Sequence, residues 1–260
     1  MIGVFDSGLG GLSVLAAIAR AMPRADLVYL ADTAHVPYGP KEDAFVRNRV
    51  LAIGDHLVEA GCRLLVVACN TATAAAVTEL RHRHPAIPVV GVEPGVKPAA
   101  AGSQSKHIAV LATEATARSE RLARLMREHA ADVKVTVQPC PGWATRVEML
   151  HLDDVGFEAE IAATVTPLIE AGADRLVLGC THYSFLVPTL LPLAAGRAEL
   201  VDVAEAVSRQ VVRLTGGTPG GATLRLMATA QPERLHAALP RLGLGWLAER
   251  AAGPAHLAPA

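Results

Sequence analysis

Residues 60–71, AGCRLLVVACNT, are matched 111 residues later by residues 171–182, AGADRLVLGCTH. In both copies a short apolar run ends in a cysteine, Cys69 or Cys180, that is followed by polar residues. The same offset aligns residues 89–92 with 200–203, and an offset of 106 aligns residues 2–5 with 108–111. A self-similarity of this extent predicts two pseudo-symmetric lobes rather than one short duplicated motif.

Short apolar runs bounded by Gly, Pro or polar residues predict buried strands at 2–5, 27–31, 64–68, 89–92, 108–112, 133–137, 175–179 and 200–203. Apolar residues at three- and four-residue spacing predict helices between them, at 12–20, 44–59, 71–83, 120–129 and 157–170. Strands that alternate with helices form parallel sheets covered by helices, so the fold class is α/β.

The domain organisation follows from the repeat. The first lobe is expected at 1–97 and the second at 98–207, with the Pro- and Ala-rich residues 94–104 crossing between them. From about residue 208 to 260 we expect a helical tail that packs back on the first lobe. Its last residues, 251–260, are expected to be disordered.

Composition limits the class of partner. The 260 residues are 51% hydrophobic and only 3% aromatic, with a net charge of −1. Such a balance gives no general attraction to nucleic acid or to an anionic membrane. No signal peptide and no membrane-spanning run are recognised, so we expect a cytoplasmic protein that acts on a small molecule.

The two repeated cysteines carry the functional prediction. In open α/β sheets, ligands bind beyond the carboxyl ends of the strands, where Cys69 and Cys180 are both expected. If the lobes face each other about a pseudo-two-fold axis, the thiols confront each other across one cleft. Racemisation at an amino-acid α-carbon needs two acid/base groups, one on each face, and a thiol and a thiolate can coexist near neutral pH.

The cysteines also have two alternative interpretations, as part of the packing or as zinc ligands. A free cysteine at a strand end is often only part of the packing, and Cys62 fits that description, while Cys140 is ambiguous. Zinc is a second alternative, with Cys69, Cys180 and His182 as ligands, but no C-x-x-C or H-x-x-x-H pair supports it.

The segment after the first predicted strand, DSGLGG at residues 6–11, has candidate binding groups. Asp6 is suited to bind a substrate ammonium or to orient Cys69, and Ser7 is suited to bind a carboxylate. A helix-capping role is the alternative for both residues. The glycines match neither G-x-G-x-x-G nor the Walker A pattern, which disfavours a nucleotide.

Further polar groups follow the other predicted strands. In DTAHVPYG, residues 32–39, Tyr38 and the backbone N–H of Gly39 are candidate donors to a carboxylate. Next to the cysteines, additional donors are present at Asn70, Thr71, Thr181 and His182. Of these, His182 is the candidate to assist Cys180.

Together these segments resemble the glutamate racemases of the aspartate/glutamate racemase superfamily over nearly the whole chain. The motifs that carry the resemblance are DSGLGG at 6–11, PYG at 37–39, ACNTA at 68–72, GVEP at 91–94 and GCTHY at 179–183. The resemblance implies interconversion of L- and D-glutamate without pyridoxal phosphate or metal, which supplies D-glutamate for peptidoglycan.

The resemblance also implies the roles of individual residues. Cys69 and Cys180 would be the two bases, with Asp6 and His182 assisting them. The substrate would be held by the polar residues nearby: Ser7, Pro37, Tyr38, Gly39, Asn70, Thr71 and Thr181. Members of the family commonly form homodimers, and we expect one here.

Two more elements match the family less directly. Glu148 occupies the place of a family glutamate that follows a Cys-Pro pair, although the intervening residues 142–146, GWATR, are more polar than is usual. Thr113 and Thr116 match a pattern that borders the site. Three alternatives remain: a racemase of another amino acid, chiefly aspartate; a carbon–carbon lyase or isomerase with a single catalytic cysteine; and a non-catalytic regulatory binder.

Overall fold

The computed structural model describes residues 1–217, 219–251 and 253–258. The chain divides into two units: unit 1 comprises Met1–Val92 and the chain from Ala204 onward, and unit 2 comprises Glu93–Val203. Every strand pairing among the described residues is parallel. Each unit therefore contains one parallel sheet, which confirms the predicted α/β class.

The strands, in chain order, are β1 Ile2–Asp6, β2 Leu27–Ala31, β3 Leu64–Val67, β4 Val89–Gly91, β5 His107–Ala112, β6 Lys134–Pro139, β7 Arg175–Gly179, β8 Glu199–Val201, β9 Leu224–Ala228 and β10 His256–Leu257.

The helices are α1 Leu12–Ala21, α2 Asp43–Glu59, α3 Asn70–Arg83, α4 Val96–Gly102, α5 Glu114–Ala117, α6 Glu120–His129, α7 Trp143–Glu148, α8 Val155–Glu170, α9 Val187–Ala194, α10 Ala204–Thr215, α11 Pro232–Arg241 and α12 Gly245–Arg250. A 3-10 helix, Thr181–Leu186, precedes α9. None of the described helices combines the length and the apolar run needed to cross a bilayer.

The two sheets share one strand arrangement. In unit 1 the order is β10-β9-β2-β1-β3-β4, and in unit 2 it is β6-β5-β7-β8. The first four strands of each repeat therefore follow the same path, and β3 and β7 are equivalent. This equivalence accounts for the repeat of residues 60–71 at 171–182.

Side chains of alternate strand residues pack on opposite faces, which explains the continuous apolar runs. In unit 2, Ala109 and Leu111 of β5 pack with α8, whereas Ile108 and Val110 pack with α4 and α6. In unit 1, α2 packs against α3, and α1 packs against α10. With so few aromatic residues, Ala, Val, Leu and Ile form most of these interfaces.

The predicted helical tail is wrong in one respect, because it contains strands. Strand β9 pairs in parallel with β2, and β10 pairs with β9. The reason is tertiary: Leu224 and Leu226 are buried while Arg225 is exposed, an alternation that fits a strand with one face packed on the core. The disorder expected for 251–260 is also wrong at His256–Leu257, whereas residues 252, 259 and 260 lie outside the described residues.

Strand β9 offers a test of this correction. We expect Leu226→Ala to lower the free energy of unfolding by about 2–5 kcal/mol, because it removes a fully buried side chain from the core. Arg225→Ala, at the neighbouring exposed position, should change it by less than about 0.5 kcal/mol. Urea denaturation measures both, and equal effects would contradict the strand assignment.

Candidate active site

In unit 1 the candidate site lies where β1 and β3 end side by side. Strand β1 pairs with β2 on one side and with β3 on the other. The order of the strands therefore reverses at the carboxyl ends of β1 and β3. In sheets of this kind, ligands bind at that point. Phe5 lies opposite Val67, and the Ala68 N–H donates to the Phe5 carbonyl at 2.8 Å. Asp6 and Cys69 are therefore at adjacent strand ends.

Cys69 is the N-cap of α3. Its Sγ accepts a hydrogen bond from the Ala72 N–H at 3.4 Å, and the side chain is largely buried. Because the N-terminus of a helix carries partial positive charge, this position favours the thiolate form.

Asn70 is a buried amide whose side chain makes no hydrogen bond to the described protein. It is 5% exposed, and neither Oδ1 nor Nδ2 has a partner there. A buried polar group without a partner costs free energy, so it normally has a structural or binding explanation. Its place directly after Cys69 makes Asn70 a candidate to bind a ligand. Thr71 is buried beside it.

Asp6 and Ser7 are both buried at the end of β1. The Asp6 Oδ1 accepts hydrogen bonds from the Gly8 N–H at 2.8 Å and from the Ser7 hydroxyl at 3.3 Å. The alternative of a helix cap does not hold, because α1 has Gly11 as its N-cap and no side-chain cap bond. A Cβ on Gly11 would lie 2.5 Å from the Asp6 Cβ, so only glycine leaves room for this carboxylate.

The Tyr38 side chain has a different partner from the one expected. Its hydroxyl donates to Asp32 Oδ2 at 2.6 Å, so its single proton is not available to a substrate carboxylate. The backbone N–H groups of Tyr38 and Gly39 make no hydrogen bond to the described protein. A carboxylate at this segment would therefore bind to the backbone. Pro37, which follows a cis peptide bond, is half-buried.

Asp32 is the organising residue that the sequence interpretation missed. Its fully buried carboxylate also accepts from Arg49 Nε at 2.9 Å, Arg49 Nη2 at 3.0 Å and Thr229 Oγ1 at 2.8 Å. Burial alone would raise the pKa of Asp32, but the hydrogen bonds from Arg49, Tyr38, His35 and Thr229 outweigh it and lower the pKa. Asp32 is therefore an anion at neutral pH.

In unit 2 the equivalent position lies between β5 and β7. Ala112 pairs with Gly179, and Cys180 follows directly. A short 3-10 helix follows Cys180 instead of an α-helix, because Pro188 lacks the N–H that an α-helix would pair with the Ser184 carbonyl. After β5, the Thr113 hydroxyl caps α5 and donates to the Thr116 hydroxyl at 3.1 Å.

Cys180, His182 and Glu148 form a continuous chain of contacts. The Cys180 Sγ lies 3.8 Å from His182 Nδ1, and His182 Nε2 lies 2.8 Å from Glu148 Oε2. The side chains of His182 and Glu148 are only 2% and 11% exposed. Burial alone would lower the pKa of His182, but its hydrogen bonds with Cys180 and Glu148 outweigh it and raise the pKa well above the usual value.

The unusual residues before Glu148 still form the helix that carries it. Gly142 takes a left-handed conformation with φ of 80°, and α7 begins at Trp143. The Trp143 ring packs edge-on against Tyr183, the neighbour of His182, with ring centroids 5.4 Å apart. This contact brings α7 and the 3-10 helix together, which places Glu148 beside His182.

The other two cysteines lie in the packing. Burial raises the pKa of Cys62 to about 11 and that of Cys140 to about 12. Cys62 lies under Gly3 in unit 1, and Cys140 belongs to the core of unit 2. Within the part of the chain that the structure describes, no three or more His, Cys, Asp or Glu residues form a metal-binding group.

The fold and these sites have clear relatives among known proteins. The family model described as Asp/Glu/Hydantoin racemase matches residues 2–211. The chain belongs to this family. Glutamate racemases of Pseudomonas aeruginosa PAO1 and Ectopseudomonas mendocina are each 45% identical to it over 246 residues, covering 93% of this chain and 93% and 94% of theirs.

A solved structure is similar over the same extent. It is that of Escherichia coli glutamate racemase in complex with L-glutamate and the activator UDP-MurNAc-Ala. It matches with a TM-score of 0.84 and 30% identity, covering 99% of this chain and 97% of that one. The family resemblance inferred from the sequence motifs is thus confirmed.

The contact between His182 and Glu148 in this family member predicts a pH-dependent stability. A raised histidine pKa stabilises the fold fully below the usual imidazole pKa of about 6.5, and the contribution is lost as the pH rises through the folded-state pKa. Glu148→Gln should therefore lower the free energy of unfolding by roughly 2 kcal/mol at pH 6 and by less at higher pH.

Urea denaturation over a series of pH values measures this difference. Glu158→Gln is the matched control, because Glu158 is an exposed carboxylate of α8 in the same unit. Its effect should not vary with pH. A loss for Glu148→Gln that is the same at every pH would contradict the charged pairing.

Proposed function

We propose that this chain catalyses the interconversion of L- and D-glutamate by a two-base mechanism, with Cys69 and Cys180 acting on opposite faces of the α-carbon. The observation that carries the proposal is the presence of one cysteine at the equivalent strand end of each unit, after β3 and after β7. One thiolate removes the α-proton, and the other thiol returns a proton to the opposite face. A single base could only exchange the proton without inverting the centre.

The surroundings of each thiol support its acid/base role. Cys69 has the N-terminus of α3 and the buried carboxylate of Asp6 at the adjacent strand end. Cys180 has His182, whose raised pKa lets the imidazole hold a proton next to the sulfur, and Glu148 stabilises that imidazolium. Asp6, His182 and Glu148 therefore assist the two cysteines.

Glutamate is the substrate that the relatives favour. The relatives from Pseudomonas aeruginosa and Ectopseudomonas mendocina are both glutamate racemases, and the Escherichia coli structure contains L-glutamate. We assign the substrate carboxylates and ammonium to the backbone N–H groups of Tyr38 and Gly39 and to polar side chains around the strand ends: Asp6, Ser7, Asn70, Thr71, Thr113, Thr116 and Thr181.

The proposal has further parts that rest on the family resemblance. The reaction proceeds without pyridoxal phosphate or metal, and its product D-glutamate is used in peptidoglycan synthesis. The protein acts in the cytoplasm as a homodimer. Neither nucleic acid nor membrane takes part.

The proposal is tested by incubating the protein with single enantiomers of glutamate and aspartate in D₂O without added cofactor. We expect glutamate to lose its optical activity and to gain one α-deuterium, because the proton returned comes from a thiol that exchanges with solvent. Aspartate should remain unchanged. Conversion of aspartate but not glutamate would overturn the substrate, and no conversion of either would favour a lyase or a non-catalytic binder.

Variants of the cysteines test the two-base assignment. Cys69→Ala and Cys180→Ala should each lower racemisation by at least roughly 10²–10⁴-fold, the usual contribution of a positioned acid or base. Cys62→Ala is the matched control: it removes a buried thiol that precedes β3, at the opposite end of the strand from Cys69, so it should lower stability but retain activity. A Cys180→Ala variant that racemises at the wild-type rate would contradict two-base catalysis.

Asn70 provides a prediction about binding. Asn70→Ala should raise KM for glutamate about tenfold, since the amide would lose its bonds to the substrate. It should change the unfolding free energy of the ligand-free protein by less than about 1 kcal/mol, because no hydrogen bond within the described protein is lost.

The matched control for Asn70 is Thr73→Val in the same helix. The Thr73 hydroxyl bonds to the Val67 carbonyl and the Val92 N–H, each at 3.2 Å, so its loss should lower stability and leave KM unchanged. Stability curves and steady-state kinetics separate the two variants. An unchanged KM for Asn70→Ala would remove Asn70 from the substrate site.

A further inference from the structure

We infer that Thr229, which follows β9, is a positioning residue for the substrate-binding backbone at residues 37–39 and acts through Asp32. The inference rests on the proposed function, because it assigns a role in holding glutamate. It concerns the C-terminal part of the chain beyond residue 211, where the family match ends. Thr229 itself touches no reacting atom in the proposed mechanism.

The Thr229 hydroxyl links two parts of the chain that are distant in sequence. It donates to Asp32 Oδ1 at 2.8 Å and accepts from the Ala34 N–H at 3.0 Å. The next residue strengthens the link, since the Ala230 carbonyl accepts from the Thr33 hydroxyl at 2.5 Å and the Ala230 N–H donates to the same hydroxyl at 2.9 Å. The start of the segment 32–39 is thus hydrogen-bonded to the residues that follow β9.

Asp32 transmits this restraint to Tyr38. The carboxylate is fully buried and depends on its donors for stability, with Arg49 neutralising its charge from α2. The opposite oxygen, Oδ2, accepts from the buried Tyr38 hydroxyl. One rigid carboxylate therefore joins Thr229 to the tyrosine whose backbone, with that of Gly39, is available to a ligand.

Loss of the Thr229 hydroxyl should loosen the segment without removing any group that contacts the substrate. Backbone donors that bind the ground state and the transition state equally affect KM and leave kcat nearly unchanged. A purely structural role would instead lower thermal stability without changing KM. A rise in KM therefore indicates a positioning residue, whereas a loss of thermal stability with an unchanged KM indicates a packing residue.

The chain offers a matched control at the other end of the same strand pair. The Thr223 hydroxyl donates to Asp26 Oδ1 at 2.7 Å. It therefore also joins β9 to the residue next to β2, but at the amino-terminal ends of the two strands. Thr223→Val and Thr229→Val each remove one hydroxyl from a Thr–Asp contact. Thr229→Ser retains the hydroxyl and should restore wild-type behaviour.

Two measurements on the full chain test the inference. In hydrogen exchange of the ligand-free protein, Thr229→Val should speed the exchange of the His35 amide, which donates to the Asp32 carbonyl at 2.9 Å, at least about tenfold, whereas Thr223→Val and Thr229→Ser should not. In glutamate racemisation, Thr229→Val should raise KM about tenfold with kcat within about twofold of wild type. Thr223→Val and Thr229→Ser should keep the wild-type KM.

The outcomes separate this inference from the proposed function. Unchanged exchange of the His35 amide in Thr229→Val overturns the inference, and so does faster exchange with an unchanged KM. An equal rise of KM in Thr223→Val also overturns it, because that would indicate a general loss of stability. If the wild-type protein fails to racemise glutamate, the proposed function fails, and the exchange data still decide whether Thr229 orders the segment.

Discussion

The parallel pairing of β1 with both β2 and β3 is the constraint on which the site in unit 1 depends. Parallel strands end at the same edge of a sheet, so the residues that follow all three strands are brought together there. The strands themselves are almost entirely apolar and buried on both faces, and their packing supplies the stability. The carboxyl ends of these strands can therefore carry a group that costs stability, the buried amide of Asn70, which has no hydrogen-bond partner among the described residues.

The two units repeat this strand arrangement but differ in the groups that surround their cysteine. Cys69 lies at the start of a long α-helix and receives a backbone hydrogen bond. Cys180 begins a short 3-10 helix and depends on side chains, His182 and then Glu148, for its electrostatic environment. A two-base reaction needs one group that accepts a proton and one that donates it, so different surroundings suit two otherwise equivalent thiols. The repeat thus retained the strand register while the charges near the thiols diverged.

The sequence predicted the features that local patterns encode. The apolar runs of β1 to β8 and the main helices are present within two residues of their predicted ends, because buried strands and amphipathic helices leave direct signals in sequence. Strand β9 was missed because its partner β2 lies 197 residues earlier in the chain, a pairing that no local pattern reveals. Asp32 was seen as one of several polar residues, but its partners Arg49 and Thr229 lie 17 and 197 residues away, which no local pattern reveals. Glu148 was found only through the family resemblance, since 34 residues separate it from His182.

The C-terminal strands also explain why unit 1 needs more than the four strands that the units share. In unit 2 the strand β6 has no partner on its outer side among the described residues, and its side chains are largely half-buried. Its equivalent in unit 1, β2, is completely buried because β9 covers that side. An inner strand holds the residues that follow it more firmly than an edge strand does, since both of its sides are hydrogen-bonded. The segment after β2 carries the backbone donors assigned to the substrate, so the added strands stabilise the part of unit 1 where positional accuracy matters most.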